Sequence, residues 1–548
     1  MSISRRDFIK GAAVAAGGAV IAGCAPKMVS TEEAPAAAGA ESGYNWLTTP
    51  APIAAADIKE TIDADIVIVG AGLGGLSTAV SALENGAKVV VVEKGSTWTG
   101  RGGGIGVVDS RKMRDAGVSV DKVEVARKWH SMTANRANEE LVWLFLNECG
   151  NAMDWLLDKA DAVNLPYFLW DGYYKGDIYT EHPGYHMFMG GPKMMEGMNP
   201  CADVSFLLYN EAVDKGATFL FDSPAEQLVK EDDRVTAVIV KTADGYKRIN
   251  GTKGVVLATG DIGGDEEMCK AYAPFAVKGV GHNGSQYTPV GVNTGDGHKM
   301  GMWVGGAIQE TPFPTMVHPQ AFSWLQYCFL YVNQEGQRFM AEDNWVQARS
   351  LKIAAQKKGD QEPWGWALID ADWPTKVKAS LPYGGGMFWD NFRVDGAEWT
   401  PDGDQATIDG YLKDGKIAFQ ADTLEALAEK LGIPADDFVA TVKRYNELCE
   451  TGVDSDFGKR SELMMPIDKA PFTALKYGGA LLTVVGGLKI DTKMRVLDAD
   501  KNPVAGLYAV GNASGDLYAT DYPITVPGNS HARALTWGYL AGKNIMEA

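Results

Sequence analysis

The stretch from Asp65 to Glu93 constrains this chain more than any other. Asp65-Ile66-Val67-Ile68-Val69 is a short apolar run, the pattern of a parallel strand buried on both faces. Gly70-Ala71-Gly72-Leu73-Gly74-Gly75 follows, then helical spacing from Leu76 to Asn85 that stops at Gly86. Lys88 to Val92 reads as a second buried strand, closed by Glu93. In that order these pieces form a βαβ unit whose turn receives a pyrophosphate. Gly70 permits the tight turn, Gly72 lets the backbone approach the phosphates, and Gly75 lets helix and strand pack closely. The free N–H groups at the helix start favour the negative charge. Glu93 falls where an acid holds ribose hydroxyls. The unit alone does not separate FAD from NAD.

The residues before it read as an address and a tether. Ser4-Arg5-Arg6-Asp7-Phe8-Ile9-Lys10 resembles a twin-arginine export signal. The apolar stretch from Gly11 to Gly23 is too short to span a bilayer as a stable helix. It ends Ile21-Ala22-Gly23-Cys24, which resembles a lipoprotein cleavage box and implies a lipid anchor on Cys24. Residues 1–23 are then the signal. Residues 24–61, rich in Ala, Pro, Glu and Ser, read as a flexible tether.

Later segments carry the same glycine-rich signature: Thr99-Gly100-Arg101-Gly102-Gly103-Gly104, Val255 to Asp261, Asn293-Thr294-Gly295-Asp296-Gly297, and Gly506 to Asn512 before a final helix from about Ser530. With a formal charge of −19, nucleic acid is excluded as a partner, because its phosphates would be repelled. The six cysteines contain no CxxC or CxxCH, so no motif-encoded zinc site, iron–sulfur cluster or haem c is expected.

On these motifs, residues 62–548 resemble the flavoprotein family of fumarate reductases, urocanate reductase and 3-ketosteroid dehydrogenases. The resemblance implies an α/β fold: a Rossmann-like, glutathione-reductase-type FAD-binding domain, residues 62–306 and 466–548, split by an inserted α+β capping domain, residues 307–465. Helical patterns at Thr423–Leu431 and Asp436–Cys449 fall in the insert, the second with Phe438, Val442 and Tyr445 on one face. FAD contacts are implied at Gly70, Gly72, Gly74, Gly75, Glu93, Lys94, Gly102, Gly103, Gly104, Ala225, Ala258, Thr259, Gly260, Asp296, Gly511, Asn512, Ser530 and His531, with the cofactor held non-covalently.

The substrate residues depart from the fumarate reductase pattern. That family holds two carboxylates with arginines and histidines. Its His-Pro pair matches His318-Pro319, but the catalytic arginine falls at Val346, with Arg349 the nearest candidate. A second family histidine becomes Thr483, and the last carboxylate-binding arginine falls near Thr525. Phe313, Phe322, Trp324, Tyr327, Phe329 and Tyr331 surround His318 in sequence, and Met187, Met189, Met194, Met195 and Met198 precede them. These point to a bulky, weakly charged ligand. Asp521-Tyr522-Pro523 followed by Pro527-Gly528 is closer to the ketosteroid dehydrogenases, where a Tyr-Pro-Gly-Pro-Gly turn polarises a carbonyl; here two extra residues intervene.

The expected activity is reduction of a carbonyl-conjugated C=C bond, in an enone or unsaturated lactone for example. Tyr522 and the Gly528 amide are expected to polarise the carbonyl, with His318, Arg349 and Thr483 as further catalytic candidates. No metal is called for. Electrons are expected from a separate donor such as a membrane-linked cytochrome. Oxidation in the reverse direction, and reduction of an unsaturated carboxylic acid, remain open at this level.

Overall fold

The computed structural model describes residues 44–171, 174–176, 179–286, 291–325, 327–385 and 399–547. The export signal, Cys24 and the tether up to residue 43 lie outside the described residues. The chain divides into two units, Met1–Thr48 and Thr49–Ala548, and of the first only residues 44–48 are described. In the first, a short 3-10 turn spans Asn45–Leu47.

The second unit is built on an eight-stranded mixed sheet. Its first strand, β1 (Ile58–Val69), starts inside the stretch expected to be tether. The reason is backbone pairing: Ile58 to Ile62 lie in parallel register with Tyr246 to Ile249. Helix α1 (Leu73–Glu84) follows the glycine turn, and β2 (Val89–Val92) returns parallel to β1, pairing Val69 with Val92. Strands Thr218–Leu220 beyond β2, and Gly245–Leu257 and Pro503–Ala509 on the other side, extend the parallel layer. The strand ends Val69, Val92, Leu257 and Ala509 therefore line up, and the turns after them share one edge of the sheet. Ile66, Val67, Ile68, Val90 and Val91 are fully or almost fully buried, as expected for a strand covered on both faces.

A second hydrophobic cluster gathers residues from Leu325 to Tyr477 around an antiparallel sheet of four strands, Leu330–Val332, Gly365–Ile369, Phe472–Tyr477 and Ala418–Ala421. Phe472–Tyr477 lies past residue 465, yet it is paired on both edges inside this sheet. One helix of this region, α2 (Val346–Ala354), packs near the strand Thr315–His318. The helices Leu424–Leu431 and Ala435–Thr451 occupy the expected stretches, the first capped by the Thr423 side chain accepting from Ala426 N–H. Phe438, Val442 and Tyr445 are buried together. The last helix, α3 (Asn529–Glu547), packs on α1.

Candidate active site

A cavity of about 270 Å³ runs from the glycine turn after β1 to the strand Thr315–His318 and the start of α2. It has two halves of different make-up.

The half over the sheet edge fits a dinucleotide. Gly70 has φ +110°, and a Cβ there would meet Ala258 O at 2.4 Å. A Cβ on Gly75 would meet Gly70 O at 2.0 Å, so the start of α1 lies directly on the turn. Gly72 differs: a Cβ there would find nothing nearer than Thr99 Oγ1 at 3.5 Å, and the space above it belongs to the cavity. Glu93 accepts Ala71 N–H on Oε2 and Gly95 N–H on Oε1, both at 2.8 Å, which fixes its carboxylate at the cavity wall. Thr259 Oγ1 is buried at this wall with no protein partner. The open cradle over Gly72, the held carboxylate and the orphaned hydroxyl match the phosphates and sugar hydroxyls of FAD. Two cations serve this half. Lys94 Nζ lies 2.8 Å from Asp296 Oδ2 and 2.9 Å from Thr294 Oγ1. Arg101 faces Asp261 and Glu93, whose charges oppose the lowering of its pKa by burial.

Between the halves runs a chain of side chains. Arg533 donates to Asn512 Oδ1, Asn512 Nδ2 donates to Thr483 Oγ1 (2.7 Å), and Thr483 donates to Asp261 Oδ2 (2.5 Å). Asn293 Nδ2 also donates to Asp261, at 3.0 Å. Burial holds the Asp261 pKa above its ordinary value, although these hydrogen bonds work against it. His531, at the start of α3, makes a 2.8 Å bond from Nδ1 to Gly104 O. The carbonyl can only accept, so Nδ1 carries the proton and Nε2 the lone pair. Burial lowers the His531 pKa and keeps the ring neutral.

The other half is assembled from distant segments. Strand Thr315–His318 runs antiparallel to Ala480–Val484, with Met316 opposite Thr483, and brings His318, Leu482 and Thr483 to the wall. Val346 and Gln347 come from the first turn of α2, Trp170 and Tyr185 from the small sheet that also holds Gly104–Gly106, and Glu181 from the loop between them. Tyr522, Ile524, Pro527 and Gly528 come from the loop before α3. The Tyr522 hydroxyl accepts Ser530 N–H at 3.0 Å and thereby holds the start of α3. Burial raises its pKa well above 10, so it keeps its own proton as a possible donor to the cavity. Gly528 has φ +73°, and a Cβ there would meet the Tyr185 ring at 2.3 Å. His318 is pushed down to about 3, by burial first and the Arg349 charge second, and is neutral at physiological pH. Among the described residues, no lysine or arginine lines this half.

Tyr522, Gly528, His318 and Thr483 therefore meet at one cavity, but Arg349 does not line it. Two residues along α2 is a rotation of about 200°, so Arg349 points away from the Gln347 side. It faces Cys328, Tyr331, Tyr477 and Tyr174 instead. Of the expected cofactor residues, Gly75 and Gly104 also do not line the cavity. Gly75 packs helix on turn, and Gly104 pairs in the small sheet opposite Met187. The aromatic residues around His318 in sequence do not form the wall either. Phe313 stacks on Tyr272, and Tyr327, Phe329 and Tyr331 belong to the second core. Met187 is buried within the small sheet, whereas Met195 and Met198 are exposed. Sequence reasoning missed Arg101, Glu181, Gln320 and Gln347, none of which sits in a spacing that announces a role. Among the described residues no three His, Cys, Asp or Glu side chains cluster as metal ligands.

This geometry defines a dinucleotide-binding enzyme with a second pocket lined by aromatic and polar side chains. The sequence matches the FAD binding domain family over residues 65–524, and the chain belongs to that family. Residues 2–22 match the twin-arginine translocation pathway signal, so the chain carries an export signal. No helix among the described residues is long and apolar enough to cross a membrane. The chain is similar to vinyl phenol reductase of Lactiplantibacillus plantarum, 26% identical over 88% of this chain and 96% of the relative. It is also similar to digoxin reductase of Eggerthella lenta, 26% identical over 99% of this chain and 97% of the relative. Its fold matches the 3-ketosteroid-Δ4-(5α)-dehydrogenase of Rhodococcus jostii with a TM-score of 0.70, at 22% identity, covering 91% of this chain and all of that one. The protein is an FAD-dependent oxidoreductase acting on CH–CH or C=C groups.

Proposed function

We propose that the protein reduces an activated C=C bond in a bulky, weakly charged small molecule, an enone or unsaturated lactone for example. The observation that carries this reading is the make-up of the substrate half: aromatic rings, uncharged polar groups, the single carboxyl of Glu181 and, among the described residues, no lysine or arginine. A dicarboxylate bound there would be desolvated without counter-charges, at high cost.

Bound in the other half, FAD supplies hydride chemistry. An alkene accepts hydride when negative charge can move to a conjugated oxygen, so the chain must stabilise that oxygen and protonate the adjacent carbon. Tyr522, protonated and buried, donates to the oxygen together with the Gly528 amide. Glu181, a buried carboxyl at the same wall, supplies the proton. Hydride and proton together add two electrons and two protons, giving the saturated product. His318 is neutral and positions the ligand.

FAD is held non-covalently, a reading supported by the Gly100–Gly104 loop at the cavity, which offers no nucleophilic side chain. Electrons come from a separate protein, a membrane-linked cytochrome being suited to an exported partner, and a lipid on Cys24 would keep the two close. The oxidative direction is favoured by one observation, the Tyr522 to Gly528 loop, which resembles the carbonyl-polarising turn of ketosteroid dehydrogenases. Anaerobic assays separate the two directions. A reduced viologen dye tests a panel of enones, lactones and arylacrylates, and an oxidised dye tests the saturated products. Faster dye-linked oxidation than reduction would reverse the assignment.

A further inference from the structure

The first turn of α2 holds a polar group with nothing to bond. Gln347 is 1% exposed, and neither Nε2 nor Oε1 has a hydrogen-bond partner among the described residues. It also lines the substrate half of the cavity. Burying a carboxamide with both ends unmet is costly, and such groups in folded proteins nearly always have partners. The wall beside it on the strand side is polar. His318 is neutral, and Gln320, which interacts with it, donates to Gln286 Oε1.

The geometry points to Gln347 as the residue that selects the substrate: its carboxamide bonds a neutral ligand group that both donates and accepts, such as a phenolic hydroxyl or a primary amide. The chemistry of the carboxamide decides the class. Nε2 needs an acceptor and Oε1 needs a donor. A hydroxyl or amide satisfies both. An ether or ketone oxygen satisfies only Nε2. A carboxylate also satisfies only Nε2 and sets its charge against the Oε1 lone pairs. The Arg349 guanidinium is on the far side of α2 and outside the cavity wall, so its charge does not meet the ligand directly. The reading makes Gln347 a specificity residue. It rests on the proposed substrate half but not on the direction or even the occurrence of turnover.

Ligand binding to the oxidised holoenzyme, read from the perturbed flavin absorbance, tests it without catalysis. Three probes share one ring and differ in one group: 4-ethylphenol, 4-ethylanisole and 4-ethylbenzoate. Wild type is expected to bind 4-ethylphenol about 10-fold or more tightly than the other two. In Gln347→Leu the phenol is expected to lose about 10-fold or more and the anisole, which has only the Nε2 bond to lose, distinctly less, so the preference disappears at constant FAD content. Gln347→Met serves the same comparison should the leucine variant lose FAD. Equal binding of phenol and anisole by wild type overturns the proposal, and so does a preference that survives in both variants. Tightest binding of the benzoate overturns it too, and would mark the site as anionic. A failed reductase assay beside a Gln347-dependent phenol preference would sink the activity reading alone.

Discussion

The two halves of one cavity were built by different rules. The FAD half is local: β1, its glycine turn, α1, β2 and Glu93 are consecutive, and each glycine answers to a stated contact. Gly70 and Gly75 have no room for a side chain, and Gly72 leaves room that the cofactor needs. The substrate half draws on five separated segments, from Trp170 to Gly528, and no spacing rule links them. The backbone of the first half must accept one invariant ligand. The second half has only to present side chains, so it can change its chemistry while the fold stays.

Substitutions in the two halves should therefore fail differently. The largest effect belongs to Gly72→Val, which fills the space above the turn. The protein should purify colourless, with FAD content near zero by absorbance after denaturation; full occupancy would refute the assignment of the cradle. Glu181→Gln comes next. It leaves FAD bound and removes the proposed proton donor, which should lower kcat by about 10²–10⁴ in anaerobic turnover. Unchanged kcat would return the role to water or another residue. Tyr522→Phe keeps the ring and loses one donor, so a fall of about 10²–10³ is expected. Because the hydroxyl also holds Ser530 N–H, thermal unfolding of the same variant must be followed. A fall in Tm at unchanged kcat would leave Tyr522 as a helix anchor only.

The smallest effect is one of stability. Asp521, next to Tyr522, has its pKa raised to about 6 by burial. A carboxyl raised in the folded state gives its full stability below the unfolded pKa of about 3.9 and loses it as pH rises through about 6. Asp521→Asn keeps an acceptor for Tyr522 N–H and cannot ionise. The variant should match wild type in Tm near pH 4 and exceed it by on the order of a few degrees at pH 7. Some slope should persist, because Asp516 is also raised to about 6. A variant less stable than wild type at pH 7 would show that the charge is satisfied in the fold.

The sequence disclosed the first half nearly whole and the second only in outline. Glu93 was legible because strand, turn and helix fix its distance from Gly72. Asn529 as the start of α3 fell within one residue of expectation. Resemblance pointed to Tyr522, Gly528, His318 and Thr483, each in a motif, and all four line the cavity, their roles being those proposed. Gln347 and Glu181 were not, because a single glutamine or glutamate on a helix or loop looks like any solvated polar residue. Arg349 shows the opposite error. Its type was right for a carboxylate site, but α2 turns it toward Tyr331 and Tyr477. The aromatic residues from Phe313 to Tyr331 misled for a similar reason: near His318 in the chain, Tyr327, Phe329 and Tyr331 fill the second core, Phe313 stacks on Tyr272, and Trp324 is exposed.

An FAD half built on backbone contacts serves a substrate half in which, among the described residues, no lysine or arginine stands. This pairing is tested most directly by kcat/KM for fumarate against that for an uncharged conjugated enone, with the same purified holoenzyme and reduced viologen under anaerobic conditions. The account predicts measurable enone turnover and negligible fumarate turnover, since Val346 and Thr483 stand where carboxylate-binding groups are needed. Rapid fumarate reduction with no enone turnover would contradict it.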